Sequence, residues 1–391
     1  MRIPLIKPKY DDYRVFTEAV KKFKNFVVAY SGGKDSTAVA IFLYQWVARE
    51  KPNISVTLLY NDTLSEVNSL ESWVRQFMND YIKKARQHVE ASYKIVTPEP
   101  VKTFFWRVFV RGYPAPTFVF RWCVDHLKLE PMIKEMRNLK DAILVTGQRD
   151  EESGARAASM KKSFGVCQPT SCLGAYFSQN GDVPKLAPIR FWTTADVWEF
   201  LLKQQDFDIS PLEKLYGVDR KTFTSPGGRF GCWHCTLVKI HSAMFFEDKR
   251  YVYVEALRLI YKAISNIREM RIPKARGYSK LGPLTPLARS IIYHLVPIVE
   301  EKSGHYFYGL DEVTVDGKTL REIFYEMREE DADALILRID KTERWIGMKR
   351  LREINKQILL QFLDKIVEEI TTLDYTILVT SRAKELLTEL T

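Results

Sequence analysis

The segment SGGKDS at residues 31–36 has the composition of an anion-binding loop. Glycine lets the backbone approach an anion without a side-chain clash, while serine hydroxyls and a lysine ammonium add donors and positive charge. The segment stands between a predicted strand and a predicted helix, and the free amide hydrogens at the start of a helix favour phosphate. This order disfavours a glycine turn that only joins two elements. The predicted nucleotide-binding residues of the loop are Ser31, Gly32, Gly33, Lys34, Asp35 and Ser36.

A second group of polar residues follows two other predicted strands. Asp62 is predicted to face the ribose, the adenine or a metal, because carboxylates at the ends of parallel strands lie over the ligand crevice. Its alternative role is to cap the next helix. Gly147 would permit close approach of the backbone to the nucleotide. Arg149 and Arg156 would make bidentate contacts with phosphate, and Glu152 would hold one of them or pair with it on a helix surface.

Arg121 and Lys128 flank a short segment that also contains Trp122 and Cys123. Both cations suit a phosphate or a sulfonate-like group. The alternative of two solvated surface cations is less favoured beside a tryptophan and a cysteine. A further basic cluster either tracks the phosphates of a nucleic acid or serves as an exposed connector. It consists of Arg268, Arg271, Lys274, Arg276 and Lys280.

The chain has five cysteines, an odd number that argues against a disulfide framework and favours metal binding or thiol chemistry. Cys232 and Cys235 have the C-x-x-C spacing of metal ligands. Cys167 and Cys172 would complete a four-thiolate site that suits either a 4Fe–4S cluster or zinc. The alternatives are a three-ligand cluster that uses Cys123 and no metal at all. Cys123 also suits the role of a small buried hydrophobe.

A folded scaffold must position these residues. In the first half of the chain, the pattern of apolar residues predicts the strands and helices of such a scaffold. Four short apolar runs predict strands, and amphipathic stretches between them predict helices. The strands are predicted at 26–30, 54–60, 93–96 and 141–145, and the helices at 37–49 and 65–90. Strands that alternate with helices predict a mostly parallel sheet covered on both faces, which is a doubly wound α/β fold. The stretch at 161–185 has little periodicity and is interpreted as a loop or an insertion.

The second half of the chain is mainly helical in pattern. A helix is predicted at 192–202, and another begins at Thr285 and ends at Gly304, since a cap, a proline and a final glycine mark its ends. The apolar spacing at 343–370 predicts a long helix whose apolar residues form core contacts.

Length and charge bound the class of protein. A chain of 391 residues is long for one core, and we expect a nucleotide-binding domain at 1–240 that includes the cysteine segments and a mainly helical domain at 241–391. The net charge of +10 favours a polyanionic partner, nucleic acid first, with general solubility as the alternative. No run of about 18 apolar residues is present, which argues against a membrane span. The first residues lack the features of a signal peptide, so we expect a cytoplasmic protein.

Several motifs resemble those of one superfamily. Residues 31–36 match the S-G-G-x-D-S loop of the ATP-pyrophosphatase superfamily. The motifs R-W-C-x-D-x-L-K-x-x-P at 121–131 and G-x-R-x-x-E-S-x-x-R at 147–156 resemble its phosphoadenosine phosphosulfate (PAPS) reductase-like branch. Three more resemble the sulfurtransferase of DNA phosphorothioation systems, the Dnd type, over roughly residues 25 to 300. They are G-Y-P-A-P at 112–116, P-I-x-x-W-T-x-x-D-V-W-x-F at 188–200 and R-F-G-C-W-x-C-T at 229–236.

The resemblance implies that the loop holds the β- and γ-phosphates of ATP while a substrate oxygen attacks the α-phosphate and pyrophosphate leaves. Asp35 would organise Mg²⁺ or the loop itself. The Dnd-type branch implies ATP-dependent insertion of sulfur into a nucleic-acid backbone, DNA first. A cysteine desulfurase would donate the sulfur, and other modification subunits would be partners. The residues expected to carry the chemistry are Lys34, Asp35, Arg121, Lys128 and Arg149.

The same resemblance favours an iron–sulfur cluster over zinc at the four cysteines. The chain departs from the Dnd-type pattern in the position of two of these cysteines. In the Dnd-type pattern, extra cysteines lie just before the G-C-W-x-C segment, where this chain has Thr-Ser-Pro-Gly-Gly at 224–228. The remaining thiolates would therefore have to come from Cys167 and Cys172 in a different segment of the chain.

Two other functions stay open. One is reduction of PAPS or adenosine phosphosulfate, or thiolation of tRNA. Reduction needs a nucleophilic cysteine, usually near the C-terminus, and no cysteine follows Cys235 in this sequence, which counts against it. The other is a nucleotide-binding subunit that regulates or scaffolds a complex without turnover, which the presence of Lys34, Asp35 and Arg149 disfavours.

Overall fold

The computed structural model describes residues 13–152, 154–164, 173–178, 183–225, 231–237, 248–273, 281–326, 355–372, 381–386 and 388. The chain divides into two compact units that alternate along the sequence. The first comprises Met1–Asp62, Ser69–Thr97 and Lys128–Gly231. The second comprises Thr63–Asn68, Pro98–Leu127 and Cys232–Thr391. A domain boundary after residue 240 stays a prediction.

A six-stranded, mostly parallel sheet forms the core of the first unit. Its strands are β1 (Asn25–Tyr30), β2 (Ser55–Asn61), β3 (Glu90–Val96), β4 (Ala142–Val145), β5 (Phe177–Ser178) and β6 (Lys185–Leu186). The order is β3-β2-β1-β4-β6-β5, and each neighbouring pair is parallel except β5 and β6. The four predicted strands and the predicted α/β fold are therefore confirmed.

Helices account for most of the remaining regular structure. They are α1 (Arg14–Ala19), α2 (Lys34–Glu50), α3 (Asn68–Ala85), α4 (Trp122–Val124), α5 (Glu130–Met136), α6 (Gly154–Phe164), α7 (Thr194–Lys203), α8 (Ser210–Tyr216), α9 (Val252–Asn266), α10 (Pro286–Ser303), α11 (Leu320–Glu326) and α12 (Lys356–Thr372). α2 packs on β1 and α7, and its residues 36–43 are buried. It begins at Lys34, before the predicted residue 37, because the end of the anion-binding loop forms its first turn.

The predicted loop at 161–185 is wrong in part. α6 runs to Phe164, and β6 pairs with β4 so that β6 and β5 widen the sheet. Met160 and Phe164 pack with Ala187 in a small core. Strands of two residues are too short to produce an alternating pattern, so they leave no periodic signal. Residues 165–172 and 179–182 lie outside the described part of the chain.

Two short antiparallel pairs accompany the helices of the second unit. They are β7 (Arg271–Pro273) with β8 (Leu281–Leu284), and β9 (Thr314–Val315) with β10 (Lys318–Thr319). The helical character predicted for the C-terminal region is confirmed by α9 to α12. Within the described residues, no helix combines the length and the apolar character that crossing a bilayer requires.

The predicted ends of one helix are confirmed in α10. Thr285 Oγ1 accepts a hydrogen bond from the backbone N–H of Ala288 at 3.2 Å, which caps the first turn. Gly304 ends the helix with φ at +69°, a left-handed conformation that glycine adopts without a side-chain penalty. α12 confirms part of the helix predicted at 343–370, and residues 343–354 lie outside the described part.

Candidate nucleotide-binding site

The anion-binding loop lies where the strand order of the sheet reverses. From β1 the chain adds β2 and β3 on one side, and it then returns to place β4 on the other side of β1. In open α/β sheets, ligands bind in the crevice outside the carboxyl ends of the strands at such a point. The loop at 31–36 follows β1, and the segment at 146–149 follows β4, so both border this crevice.

Backbone geometry and serine hydroxyls shape the loop. Gly32 has φ at +71°, a left-handed conformation that favours glycine, and its carbonyl accepts a hydrogen bond from Trp73 Nε1 at 3.0 Å. Ser36 Oγ donates to the carbonyl of Gly33 at 3.0 Å, accepts from the N–H of Ser31 at 3.2 Å and lies 3.1 Å from Ser31 Oγ. The two hydroxyls therefore fold the loop onto the start of α2.

The N-terminal end of α2 provides the positive end of a long helix. The first N–H groups of any helix lack acceptors within it, and the helix dipole adds positive potential there. At the start of α2, the backbone N–H of Thr37 donates a hydrogen bond to the carbonyl of Gly33 at 3.0 Å. The N–H groups of residues 34–36 precede it in a helix of 17 residues. This end of the helix is therefore suited to a phosphate.

The carboxylate of Asp35 is held between two cations. Lys34 Nζ donates to Asp35 Oδ2 at 2.8 Å, and Arg149 Nε donates to Asp35 Oδ1 at 2.7 Å. The side chain of Arg149 is 2% exposed and that of Asp35 is 24% exposed, so the second pair is shielded from water on one side. Both carboxylate oxygens have a cationic partner, which fits Asp35 as the organiser of the loop. Coordination of Mg²⁺ by Asp35 stays a prediction.

The guanidinium of Arg149 joins this loop to α7. Its Nη1 donates to Glu151 Oε2 at 3.0 Å and to the carbonyl of Trp192 at 3.0 Å, and its Nη2 donates to Thr194 Oγ1 at 3.2 Å. Together with the bond to Asp35, these contacts use most of the five N–H donors of an arginine. Arg149 is therefore built to position Asp35, and its direct contact with phosphate stays a prediction.

At Gly147, the segment that follows β4 packs against the start of α2. A Cβ on Gly147 would lie 2.8 Å from the carbonyl carbon of Asp35 and 3.0 Å from the nitrogen of Ser36. Contacts that short between a Cβ and backbone atoms require the backbone to move. Glycine is thus needed for close packing of two protein segments. The predicted close approach of Gly147 to the nucleotide stays a prediction.

A cavity of about 310 Å³ opens beside the loop, at the lower end of the range for small-molecule sites. Its apolar lining consists of Ala29, Leu129, Met132 and Leu144. Its polar lining consists of Ser31, Asp35, Ser36, Thr146, Gly147, Gln148, Glu152 and Lys185. An apolar wall next to the positive end of a helix suits a base or sugar attached to phosphates. The structure therefore brings five predicted site residues to one cavity: Ser31, Asp35, Ser36, Gly147 and Glu152.

Lys185 is a residue of this cavity that the sequence did not reveal. It lies in β6, whose pairing with β4 brings it beside the segment that follows β4. No motif contains it, and its strand is too short to be recognised from periodicity. Its ammonium group adds positive charge to a cavity that already contains the carboxylates of Asp35 and Glu152.

Two carboxylates predicted for the nucleotide site lie in different environments. Asp62 follows β2, is 2% exposed and donates its backbone N–H to the carbonyl of Val96 at 2.9 Å. Glu152 lines the cavity, and its Oε1 accepts a hydrogen bond from the backbone N–H of Arg149 at 3.2 Å. Glu152 thus fixes the backbone of the segment that carries the buried arginine.

The predicted cations Lys128 and Arg121 are exposed, in contrast to the buried side chain of Arg149. Lys128 is exposed, and it precedes Leu129, which lines the cavity. Arg121 is exposed and belongs to the second unit, where its Nε donates to the carbonyl of Phe118 at 3.3 Å. Their catalytic roles stay predictions. Outside the described part of the chain lie the side chain of Arg156 and residues Lys274, Arg276 and Lys280.

The four cysteines predicted to bind a metal fall only partly within the described residues. Cys167 and Cys172 lie outside the described residues, and across the part that is described no three His, Cys, Asp or Glu side chains form a metal-binding group. Cys232 is buried, and its Sγ lies 3.3 Å from Thr63 Oγ1 and 3.5 Å from Glu66 Oε1. The predicted four-cysteine metal site therefore stays a prediction.

Three motifs of the second unit meet in one aromatic cluster around Phe104. The ring of Phe104 stacks on His234 with centroids 3.9 Å apart and on Trp122 with centroids 6.1 Å apart. Trp122 Nε1 donates to the carbonyl of Pro114 at 3.0 Å. The G-Y-P-A-P, R-W-C and C-W-H-C segments are thus packed together, although more than a hundred residues separate the first from the last.

Residues 25–238 match the family described as the phosphoadenosine phosphosulfate reductase domain, and this match covers more than half of the chain. The chain belongs to that family. It is also similar to an uncharacterized protein of Methanocaldococcus jannaschii, with 26% identity over 226 residues. The aligned part is 56% of this chain and 37% of that protein, so the chain spans well under half the length of its relative.

The match to the PAPS reductase domain family covers the anion-binding loop of the first unit and its scaffold. The matched residues include the loop after β1, the segment after β4 and the strands that carry them. They also include Cys232 and Cys235, near the end of the match. The match ends at residue 238, so α9 to α12 lie beyond it.

Proposed function

We propose that this chain is an ATP-dependent sulfurtransferase that adenylylates a backbone phosphate of nucleic acid, DNA first, so that sulfur can replace one of its oxygens. The observation that carries the proposal is the cavity where the strand order reverses, in which the start of α2 adjoins an apolar wall. This arrangement suits a nucleotide whose phosphates meet the helix end. The Dnd-type motifs and the net charge of +10 support the choice of acceptor.

The residues around the loop would act on the phosphates of ATP. The N–H groups of residues 34–36 would hold the β- and γ-phosphates, with Mg²⁺ bound to the phosphates. Lys34 and Lys185 would stabilise the negative charge that moves onto the departing pyrophosphate. Arg149 keeps Asp35 in place before ATP arrives, which lowers the cost of ordering the loop on binding. Arg121 and Lys128 are proposed to act on the acceptor phosphate.

The proposed reaction consists of two displacements at phosphorus. In the first, a non-bridging oxygen of the backbone phosphate attacks the α-phosphorus of ATP, and the bond to pyrophosphate breaks. In the second, a persulfide sulfur from a cysteine desulfurase attacks the activated backbone phosphorus, and AMP leaves with the original oxygen. A thiol reductant then cleaves the sulfur–sulfur bond, which leaves a phosphorothioate and a disulfide.

The test combines the purified full chain with ATP, Mg²⁺, DNA, a cysteine desulfurase, cysteine and a thiol reductant, and it measures pyrophosphate and AMP. We expect equal amounts of both products, dependence on DNA and transfer of labelled sulfur from cysteine into the DNA. Lys185→Met should lower the rate of pyrophosphate release about ten-fold or more. Lys22→Met, an exposed lysine of the same unit, should leave it unchanged. Absence of DNA-dependent pyrophosphate release would contradict the proposal.

Membership of the family favours a second candidate, the reduction of PAPS or adenosine phosphosulfate. A reductase would release sulfite from the sulfonucleotide in the presence of a thiol and without ATP. Replacement of DNA by tRNA in the same assay tests thiolation of tRNA. A subunit without turnover would bind ATP and release neither pyrophosphate nor sulfite, and Lys34→Ala would then leave its cellular role intact.

A further inference from the structure

A second cavity, of about 430 Å³, lies in the second unit. The motif at 112–116 forms one wall, and α9 and the β7–β8 pair provide the others. Its volume is within the range of sites that hold small molecules or single groups of larger ligands. None of the functions assigned to the nucleotide-binding site uses this cavity.

Hydrogen bonds hold the wall formed by the motif. The N–H of Leu284 donates to the carbonyl of Gly112 at 2.7 Å, and the N–H of Ala115 donates to Ser265 Oγ at 2.8 Å. Tyr261 Oη donates to the carbonyl of Tyr113 at 3.0 Å. These bonds tie the motif to α9 and to β8, so the cavity is formed before any ligand binds.

Positive charge dominates the polar lining of this cavity. Arg111, Lys262 and Arg271 line it, and no acidic side chain does so among the described residues. Burial, followed by the charge of Arg258, lowers the pKa of Lys262 despite the opposing charge of Glu255. Burial also lowers the pKa of Arg271, whose guanidinium donates to the carbonyls of Gly282 and Ser265. An anionic group in the cavity would relieve the cost of burying these charges.

A turn with exposed apolar side chains adjoins the cavity. Backbone hydrogen bonds of 3.2 Å in both directions between Thr117 and Phe120 close the turn. Phe118 is 72% exposed, Val119 is 97% exposed and Phe120 is 45% exposed. Phe120 also lines the cavity, where its ring centroid lies 6.1 Å from that of Tyr113. Three consecutive exposed apolar residues at the tip of a turn are unfavourable in water unless a ligand covers them.

We propose that this cavity and the adjoining turn bind a strand of nucleic acid, with a backbone phosphate near Lys262 and bases stacked on Phe118 and Phe120. Proteins that bind single strands combine a positively charged groove with aromatic rings on which bases stack, and both features occur together here. An acidic peptide would use the cations and leave the rings uncovered, whereas an apolar partner would not need the cations. The role of this strand as sulfur acceptor rests on the proposed function.

The experiment measures binding of a fluorescent DNA strand of about twelve nucleotides to the full chain by anisotropy, without ATP. Phe118→Ala combined with Phe120→Ala should weaken binding by about thirty-fold or more, since two stacked bases are lost, and should leave its salt dependence unchanged. Lys262→Gln should weaken binding and lower the slope of log affinity against log salt by about 0.7, because one phosphate contact is lost. This difference separates the stacking contribution from the charge contribution.

Matched controls come from the same unit. Tyr325→Ala removes an aromatic ring that is 86% exposed, and Lys249→Gln removes an exposed lysine, and neither should change binding. Thermal unfolding of each variant, together with its ATP affinity, shows whether it is folded. Wild-type affinity in both cavity variants would overturn the inference, and so would competition by polyglutamate as effective as that by unlabelled DNA.

The outcomes also separate this inference from the proposed function. A strand that binds at the cavity and yet stimulates no pyrophosphate release would contradict the proposed function and support the inference. DNA-dependent pyrophosphate release that is the same in the wild type and in both cavity variants would support the proposed function and overturn the inference.

Discussion

Replacement of Gly147 by alanine would place a methyl group against the start of α2. The new Cβ would lie 2.8 Å from the carbonyl carbon of Asp35, 2.9 Å from its carbonyl oxygen and 3.0 Å from the nitrogen of Ser36. Ordinary contacts begin at 3.4 Å, so the two segments must separate by about 0.6 Å. The neighbouring atoms belong to the backbone, and no rotation of a side chain relieves the contact.

Overpacking of this kind costs about 1–3 kcal/mol. Movement of α2 displaces the N–H groups of residues 34–36, so part of this cost appears as weaker nucleotide binding. The rest appears as a lower free energy of unfolding. Because about 1.4 kcal/mol corresponds to a ten-fold change in affinity, the full cost in binding would weaken ATP about 5- to 150-fold.

The assay is calorimetric titration of ATP together with urea unfolding, for the wild type and for Gly147→Ala. Gly154→Ala is the matched control, because nothing lies within 4 Å of a Cβ at that position. Gly154 is the first residue of α6, so the control should be neutral or more stable by up to about 1 kcal/mol. If Gly147→Ala keeps both wild-type affinity and wild-type stability, the close contact of Gly147 with the start of α2 does not determine the geometry of the site.

Three further substitutions have measurable outcomes. Gly32→Ala combines a left-handed φ with a Cβ 2.3 Å from Val74 Cγ2, so urea unfolding should show a loss of about 2 kcal/mol or more, and an unchanged midpoint would refute this. Arg149→Met removes the buried partner of Asp35, so calorimetric titration should show that ATP binds about ten-fold more weakly. Wild-type affinity would mean that the loop keeps its conformation without the bond to Arg149. Burial lowers the pKa of His305 from 6.5 to about 4, so the unfolded chain takes up a proton below pH 6.5 that the folded chain does not accept until about pH 4. The free energy of unfolding should therefore fall by on the order of 3 kcal/mol over this interval, and His305→Phe should remove that part of the pH dependence in urea unfolding.

The phosphate loop and the first four strands could be predicted because their signals are local. β1, β2 and β4 are short, mostly apolar runs, as expected for strands buried on both faces of a parallel sheet. β3 is the edge strand, and its apolar pattern is weaker because most of its residues are exposed or half-buried. The glycines and the lysine of the loop are consecutive in the chain, so no tertiary information is needed to recognise them. The ends of α10 could be predicted from the sequence as well, since Thr285 and Gly304 mark them by their own conformational preferences.

Features that depend on distant pairing could not be predicted in the same way. The bond between Arg149 and Asp35 joins residues more than a hundred positions apart, and the sequence alone favoured phosphate as the partner of that arginine. Lys185 enters the site only because β6 pairs with β4. The aromatic cluster around Phe104 likewise depends on packing between motifs that are far apart in the chain.

The central claim is that the start of α2 holds the phosphates of an adenine nucleotide at the point where the strand order reverses. A crystal structure with a non-hydrolysable ATP analogue and Mg²⁺ tests it most directly. We expect phosphate oxygens about 3 Å from the backbone nitrogens of residues 34–36 and the base against Leu129 and Met132. Phosphates bound elsewhere, with the loop unoccupied at saturating analogue, would contradict the account.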